Sequence, residues 1–109
     1  LLHIFTTEGT HLFDINLSDM DYPFGTHLLP DHTVLVSDAK GGELRKYHLS
    51  PNNTEPIWKY QPADEDVELG LVTPDDSGLI YVIAKKDGRF FIQILTEHGR
   101  EKIFFRINR

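Results

Sequence analysis

The side chains best equipped for chemistry in this 109-residue chain are 17 carboxylates and six histidines, with no cysteine beside them. The densest acidic run is Asp64-Glu65-Asp66-Val67-Glu68. It lacks the spaced ligands and central glycine that let an EF-hand loop wrap calcium, so no metal site is expected there. The histidines, at positions 3, 11, 27, 32, 48 and 98, show neither His-x-x-x-His spacing nor a glutamate-bearing helical zinc motif. His3 and His11 could face each other across a first hairpin and bind a metal weakly, but exposed strand histidines need no such role. No serine sits in a Gly-x-Ser-x-Gly elbow, so a hydrolase triad has no starting point. No catalytic residue, metal ligand or cofactor is expected, and the segment reads as non-enzymatic.

Composition narrows the partners. A net charge of −6 opposes binding to a phosphate backbone, which relies on clustered Lys and Arg, so nucleic acid is not expected as the main partner. Hydrophobic residues at 39% are enough for a packed core and too many for a disordered tail. No apolar run reaches the roughly 18 residues of a membrane span. The opening Leu1-Leu2-His3-Ile4-Phe5 lacks the basic start and long apolar stretch of a signal peptide. Absence of cysteine suits a reducing compartment, and a cytoplasmic location is expected. Asn16-Leu17-Ser18 and Asn52-Asn53-Thr54 fit the N-glycosylation sequon, which would matter only in a secreted protein. The first residue is not methionine, and the chain reads as an excerpt of a longer one.

The elements that carry these residues repeat. Thr33-Val34-Leu35-Val36-Ser37-Asp38 corresponds to Leu79-Ile80-Tyr81-Val82-Ile83-Ala84 at an offset of about 46 residues, within the range of propeller blades. The same offset carries Gly42 to Gly88, Leu44 to Phe90, Leu49 to Leu95 and Trp58 to Phe104. Each unit divides into four short strands, at 25–29, 33–37, 43–49 and 55–60, then at 69–73, 79–84, 89–95 and 101–107. Between them stand turn formers: Pro30-Asp31, Gly41-Gly42, Pro51-Asn52-Asn53, Pro74-Asp75, Asp87-Gly88 and His98-Gly99. Val, Ile, Phe and Tyr dominate the strands, and no window has helical periodicity. The second strand of each unit is almost continuously apolar, as burial on both faces requires. Ile4 to Gly9 parallels Ile94 to Gly99, so the start matches only the second half of a unit. The expected fold is therefore all-β: a β-propeller segment of about two and a half four-stranded antiparallel blades. Residues 1–17 form the outer half of a blade, and 22–61 and 67–109 form complete blades. A β-sandwich is the rival architecture.

The middle unit resembles an NHL repeat, the blade of the C-terminal propeller in tripartite-motif (TRIM-NHL) ubiquitin ligases. The resemblance rests on Pro23-Phe24-Gly25, Pro30-Asp31, Val34-Leu35-Val36-Ser37-Asp38 and Leu44-Arg45-Lys46-Tyr47. The last unit keeps Gly70, Pro74-Asp75 and Ile80-Tyr81-Val82, but Ala84 stands where the family usually has Asp. The Asn-His-Leu tripeptide is absent, with Gly41-Gly42-Glu43 in its place. Gluconolactonase-like hydrolases and extracellular receptor propellers share much of this pattern. What the resemblance implies is a non-catalytic substrate-recognition segment, with ubiquitin transfer left to other domains of the parent. The alternatives are a fragment of a metal-dependent hydrolase propeller or of a receptor propeller.

The resemblance further implies that the loops joining successive blades and those joining strands two and three share one face. Those loops carry Asp19, Asp21, Asp38, Asp64, Glu65, Asp66, Glu68 and Asp87 against Lys40, Lys85 and Lys86. Eight acids against three bases leave about −5 on that face, nearly the whole net charge. Such a face suits a protein partner with a basic segment; solvated loops rich in acids have the same composition. Propellers close with about four to eight blades, so a segment of this size would leave apolar blade faces open to the missing blades or to other copies. The expected outcome in sedimentation velocity is self-association of the isolated chain, and a stable monodisperse monomer would contradict it.

Overall fold

In a computed structural model describing residues 1–17, 19–51, 53, 55–64 and 66–106 (the last four by backbone alone), the chain is all-β. Ten strands among these residues form three antiparallel sheets. The first is a hairpin of β1 (Leu2–Phe5) and β2 (His11–Ile15). The second joins β3 (Pro23–Leu29), β4 (Thr33–Asp38), β5 (Glu43–His48) and β6 (Trp58–Tyr60). The third joins β7 (Glu68–Pro74), β8 (Ile80–Lys86), β9 (Arg89–Leu95) and β10 (Glu101–Arg106). Both four-stranded sheets are meanders whose spatial order follows the chain. Among the described residues no helix is long and apolar enough to cross a membrane.

Turn chemistry sets the registers. Asp87 and Gly88 adopt φ of 51° and 73°, as a two-residue hairpin turn with both central residues left-handed requires. The corresponding loop of the middle sheet is four residues long, because Asp38 pairs with Glu43 whereas Lys86 pairs with Arg89. Val36 accordingly faces Arg45, while Val82 faces Gln93. Relative to the repeat offset, β9 has slid by two residues. Two residues are one full strand period, so every side chain keeps its face. The strand expected at 55–60 is restricted to Trp58–Tyr60. Pro56 has no N–H to give to a ladder, so regular pairing begins beyond it.

The core forms on both sides of β4, all six residues of which are buried. Val34, Val36 and Tyr47 pack on Ile15, Leu17 and Met20, which close the hairpin against the middle sheet. On the opposite face Leu35 and Leu44 pack with Leu69, Val72, Val82 and Leu95 of the third sheet. The apolar run of β8 behaves differently: Ile80, Val82 and Ala84 are buried, while Tyr81 and Ile83 are half-buried. Only the face of β8 that meets the middle sheet is sealed, so the same sequence pattern yields one-sided burial there.

The two larger sheets come into close backbone contact where β3 passes β7. The Gly25 N–H donates to Ser37 Oγ at 3.0 Å, and that hydroxyl donates to the Gly70 carbonyl at 2.7 Å. A Cβ on Gly25 would lie 2.7 Å from both the Gly70 oxygen and Ser37 Oγ, so only glycine fits. Both inner strands are irregular at these glycines, between Pro23 and Thr26 and between Leu69 and Val72. Such bulges bend a strand and sharpen its twist, which here brings the two backbones together. Replacing Gly25 by Ala forces the sheets apart and is expected to cost about 2 kcal/mol or more, as overpacking does. Ser37→Ala removes the bridge without filling space and should cost about 1 kcal/mol. Urea denaturation of the two variants checks both the magnitudes and their order.

Candidate interaction face

Asp38, at the end of β4, is the most buried of the described acids expected on the loop face, with 3% of its surface accessible. Its carboxylate accepts hydrogen bonds from the N–H groups of Asp21 (2.8 Å), Tyr22 (2.9 Å) and Gly41 (2.9 Å). The Ala39 N–H adds a bond to the Tyr22 carbonyl at 2.9 Å. Burial pushes the Asp38 carboxyl up, but the backbone donors of Gly41, Tyr22, Asp21 and Lys40 together outweigh it and hold the group below the ordinary carboxylate range. Asp38 therefore fastens the segment entering β3 onto the β4–β5 loop and presents no charge to a partner.

Asp19 is also engaged. It accepts from Arg45 Nη1 at 2.7 Å, and the same guanidinium reaches Tyr47 Oη at 2.9 Å and the Glu43 carboxylate. Burial works against the Arg45 charge, but the bonds to Asp19, Tyr47 and Glu43 prevail and raise its pKa. This buried cation is a residue that sequence reasoning missed. The signal lay in the flanking residues: Glu43, Arg45 and Tyr47 alternate along β5 and so share one face. Among the described residues no buried side-chain nitrogen or oxygen lacks a partner.

The remaining described acids stand in three places. Asp21 is exposed beside Tyr22, whose ring lies 5.9 Å from the Lys40 ammonium. Asp64, Asp66 and Asp87 gather around Lys86, which pairs directly with Asp64. The hydrogen bond to Asp64, with the charges of Asp64, Asp87 and Asp66, outweighs desolvation and holds the Lys86 ammonium above the ordinary lysine value. Glu68 faces Lys85 across the β7–β8 ladder and is exposed. Glu65 lies outside the described residues, as do Ser18, Asn52 and Thr54 of the two sequons. Of the eight acids expected on one solvated face, Asp38 is thus consumed by backbone donors, while Asp19 and Asp64 are each paired with a cation.

A cleft of about 350 Å³ opens beside the Lys86 cluster, next to Pro62, Ala63, Asp64 and Val67. Tyr60, Val67, Leu69, Ala84 and Phe91 supply apolar walls, and Asp64, Lys86 and Glu101 stand among the lining residues. Its position follows from one residue. Asp38 pairs with Pro23 on β3, and Ala84 pairs with Leu69 on β7 at the equivalent step of the third sheet. Where Asp38 reaches across to hold the incoming backbone, the methyl group of Ala84 cannot, and the space stays open. Tyr60 Oη sits 3.3 Å from Glu101 Oε2, and burial together with that carboxylate pushes the phenol up to about 12. It is a neutral hydrogen-bonding group at physiological pH.

Elsewhere, on the first hairpin, His3, His11 and Asp14 bring one ligand atom each within 4.8 Å of one another, as no other three His, Asp or Glu side chains do among the described residues. No protein-family model matches the chain, and no curated protein sequence matches it either.

The lowered Asp38 pKa has a definite sign. A carboxyl depressed in the folded state stabilises the fold at pH values above its unfolded value of about 3.9, and that contribution is lost as pH falls through the folded value. Asp38→Asn should cost about 2 kcal/mol at pH 7, because a charge-assisted hydrogen-bond set is replaced by a neutral one. Its urea midpoint should also fall less steeply than that of the unaltered protein between pH 4 and pH 2. Parallel acid limbs for the two proteins would contradict this assignment.

Proposed function

We propose that the chain is a non-catalytic protein-interaction segment of a β-propeller, resembling the substrate-recognition propeller of TRIM-NHL proteins, and that it receives a basic segment of a partner protein. Two consecutive four-stranded meanders stacked face to face support the propeller reading. The observation that carries the interaction reading is the acidic rim around Lys86 beside an apolar cleft. A lysine or arginine has an apolar stem and a cationic tip, so it gains by burying the stem while the tip meets carboxylates. Asp66, Glu68 and Asp87 are exposed and make no ion pair among the described residues, which leaves them free to meet such a tip. Rim charges of this kind steer encounter and select the partner's sign more than they add affinity.

The test is selection of binding peptides from a displayed library, followed by affinity measurements at low and high salt. Basic peptides should be enriched, and their affinity should fall as salt rises. Neutralising Asp66, Glu68 and Asp87 together should weaken them by about tenfold while leaving the urea midpoint unchanged. Enrichment of acidic or purely apolar peptides, or binding indifferent to the triple substitution, would overturn the proposal.

A further inference from the structure

We propose that His3, His11 and Asp14 form a binding site for a divalent transition-metal ion of the zinc type, on the outer face of the β1–β2 hairpin. His3 lies directly opposite Asp14 in the ladder, and its Nδ1 is 2.7 Å from Asp14 Oδ1. His11 Nε2 is 2.7 Å from the same oxygen. Three ligand atoms from three side chains therefore converge, all within 4.8 Å of one another.

This convergence is built by an irregularity in the strand. His11 and Asp14 are three residues apart, and in a regular strand such residues point to opposite faces. The ladder pairs Ile4 with Phe13 and then Phe5 with His11, so Leu12 is the extra residue of a bulge. One inserted residue inverts the alternation. Leu12 is left 56% exposed, and His11 swings onto the face that already carries His3 and Asp14. Without the bulge His11 would point toward the Ile15–Tyr47 core. The Phe5 ring, 5.2 Å from that of His11, packs against the pair, and the two imidazole centroids are 6.0 Å apart.

The donor set selects the ion. Two imidazole nitrogens and one carboxylate oxygen suit zinc and its neighbours, whereas calcium and magnesium demand oxygen ligands. Zinc bonds of about 2.0–2.2 Å in a tetrahedron place ligand atoms about 3.4 Å apart. Each nitrogen–oxygen gap of 2.7 Å needs to open only slightly to admit the ion. The side chains are 54%, 47% and 30% exposed, so that adjustment disturbs no packed core and water completes the coordination.

Calorimetric titration of the full chain with zinc chloride tests the site. One ion should bind saturably, and calcium and magnesium should give no heat. His3→Ala and His11→Ala should each weaken zinc binding by at least about tenfold, while His98→Ala, on the β9–β10 turn, should leave it unchanged. Ring-proton NMR of the unaltered chain provides a readout that does not depend on variants: zinc should shift the His3 and His11 signals and spare those of His27, His32, His48 and His98. Absence of saturable binding, equal loss in His98→Ala, or shifts centred on other histidines would overturn the proposal. The site lies on a different sheet from the Lys86 rim, so either can fail without the other.

Discussion

The close backbone approach between the two large sheets at Gly25 and Gly70 is the constraint on which the rest of the structure depends. A sheet normally packs on another about 10 Å away, with side chains filling the gap. At this one point there is no side chain on either inner strand, and the Ser37 hydroxyl alone bridges the backbones. The approach pins the inner edges of both sheets together. Beyond it Leu35, Leu44, Leu69, Tyr60 and Leu95 fill the space between the sheets. Farther out, Trp58 of the outermost strand donates from Nε1 to the Glu97 carbonyl at 3.0 Å, closing the sheet pair at its other side.

The end of β4 works in two directions at once. Ser37 ties the middle sheet forward to β7, and the neighbouring Asp38 ties it back to the segment that enters β3. Adjacent strand residues point to opposite faces, so two consecutive polar side chains can serve two different neighbours. The third sheet has neither device at the matching positions, with Ile83 and Ala84 in their place. Its entering segment is held instead by the exposed Asp64–Lys86 pair, which solvent screens far more than a buried clasp. The cleft and the acidic rim both follow from that exchange of a buried carboxylate clasp for a surface ion pair.

Charge counted along the loops and charge presented on the surface differ for the same reason. A carboxylate at a strand end or turn can be taken up by backbone donors or a buried cation instead of facing solvent. Asp38 and Asp19 illustrate the two cases, one serving backbone N–H groups and the other the enclosed guanidinium of Arg45. What remains for a partner is a smaller acidic patch, concentrated where Asp66 and Asp87 surround an already paired lysine and Glu68 stands opposite Lys85.

The strands and their order were legible in the sequence, because runs of Val, Ile, Phe and Tyr and the conformational demands of Asp87-Gly88 and Pro30-Asp31 act over a few residues. The all-β character and the deep burial of Val34-Leu35-Val36 followed from that local information. Three things did not. The destination of the Asp38 carboxylate depends on backbone donors as many as 17 residues away. The two-residue slip of β9 depends on the middle sheet's loop running to four residues, 39–42, where Asp87-Gly88 alone turns the third sheet. The joining of Asp14 to the expected His3–His11 pair depends on the register of the hairpin and on a single bulged residue, Leu12, which puts His11 on the face of the other two. Local pattern determined which segments are strands; contacts between distant segments decided which charges are spent, which are shown, and which side chains meet.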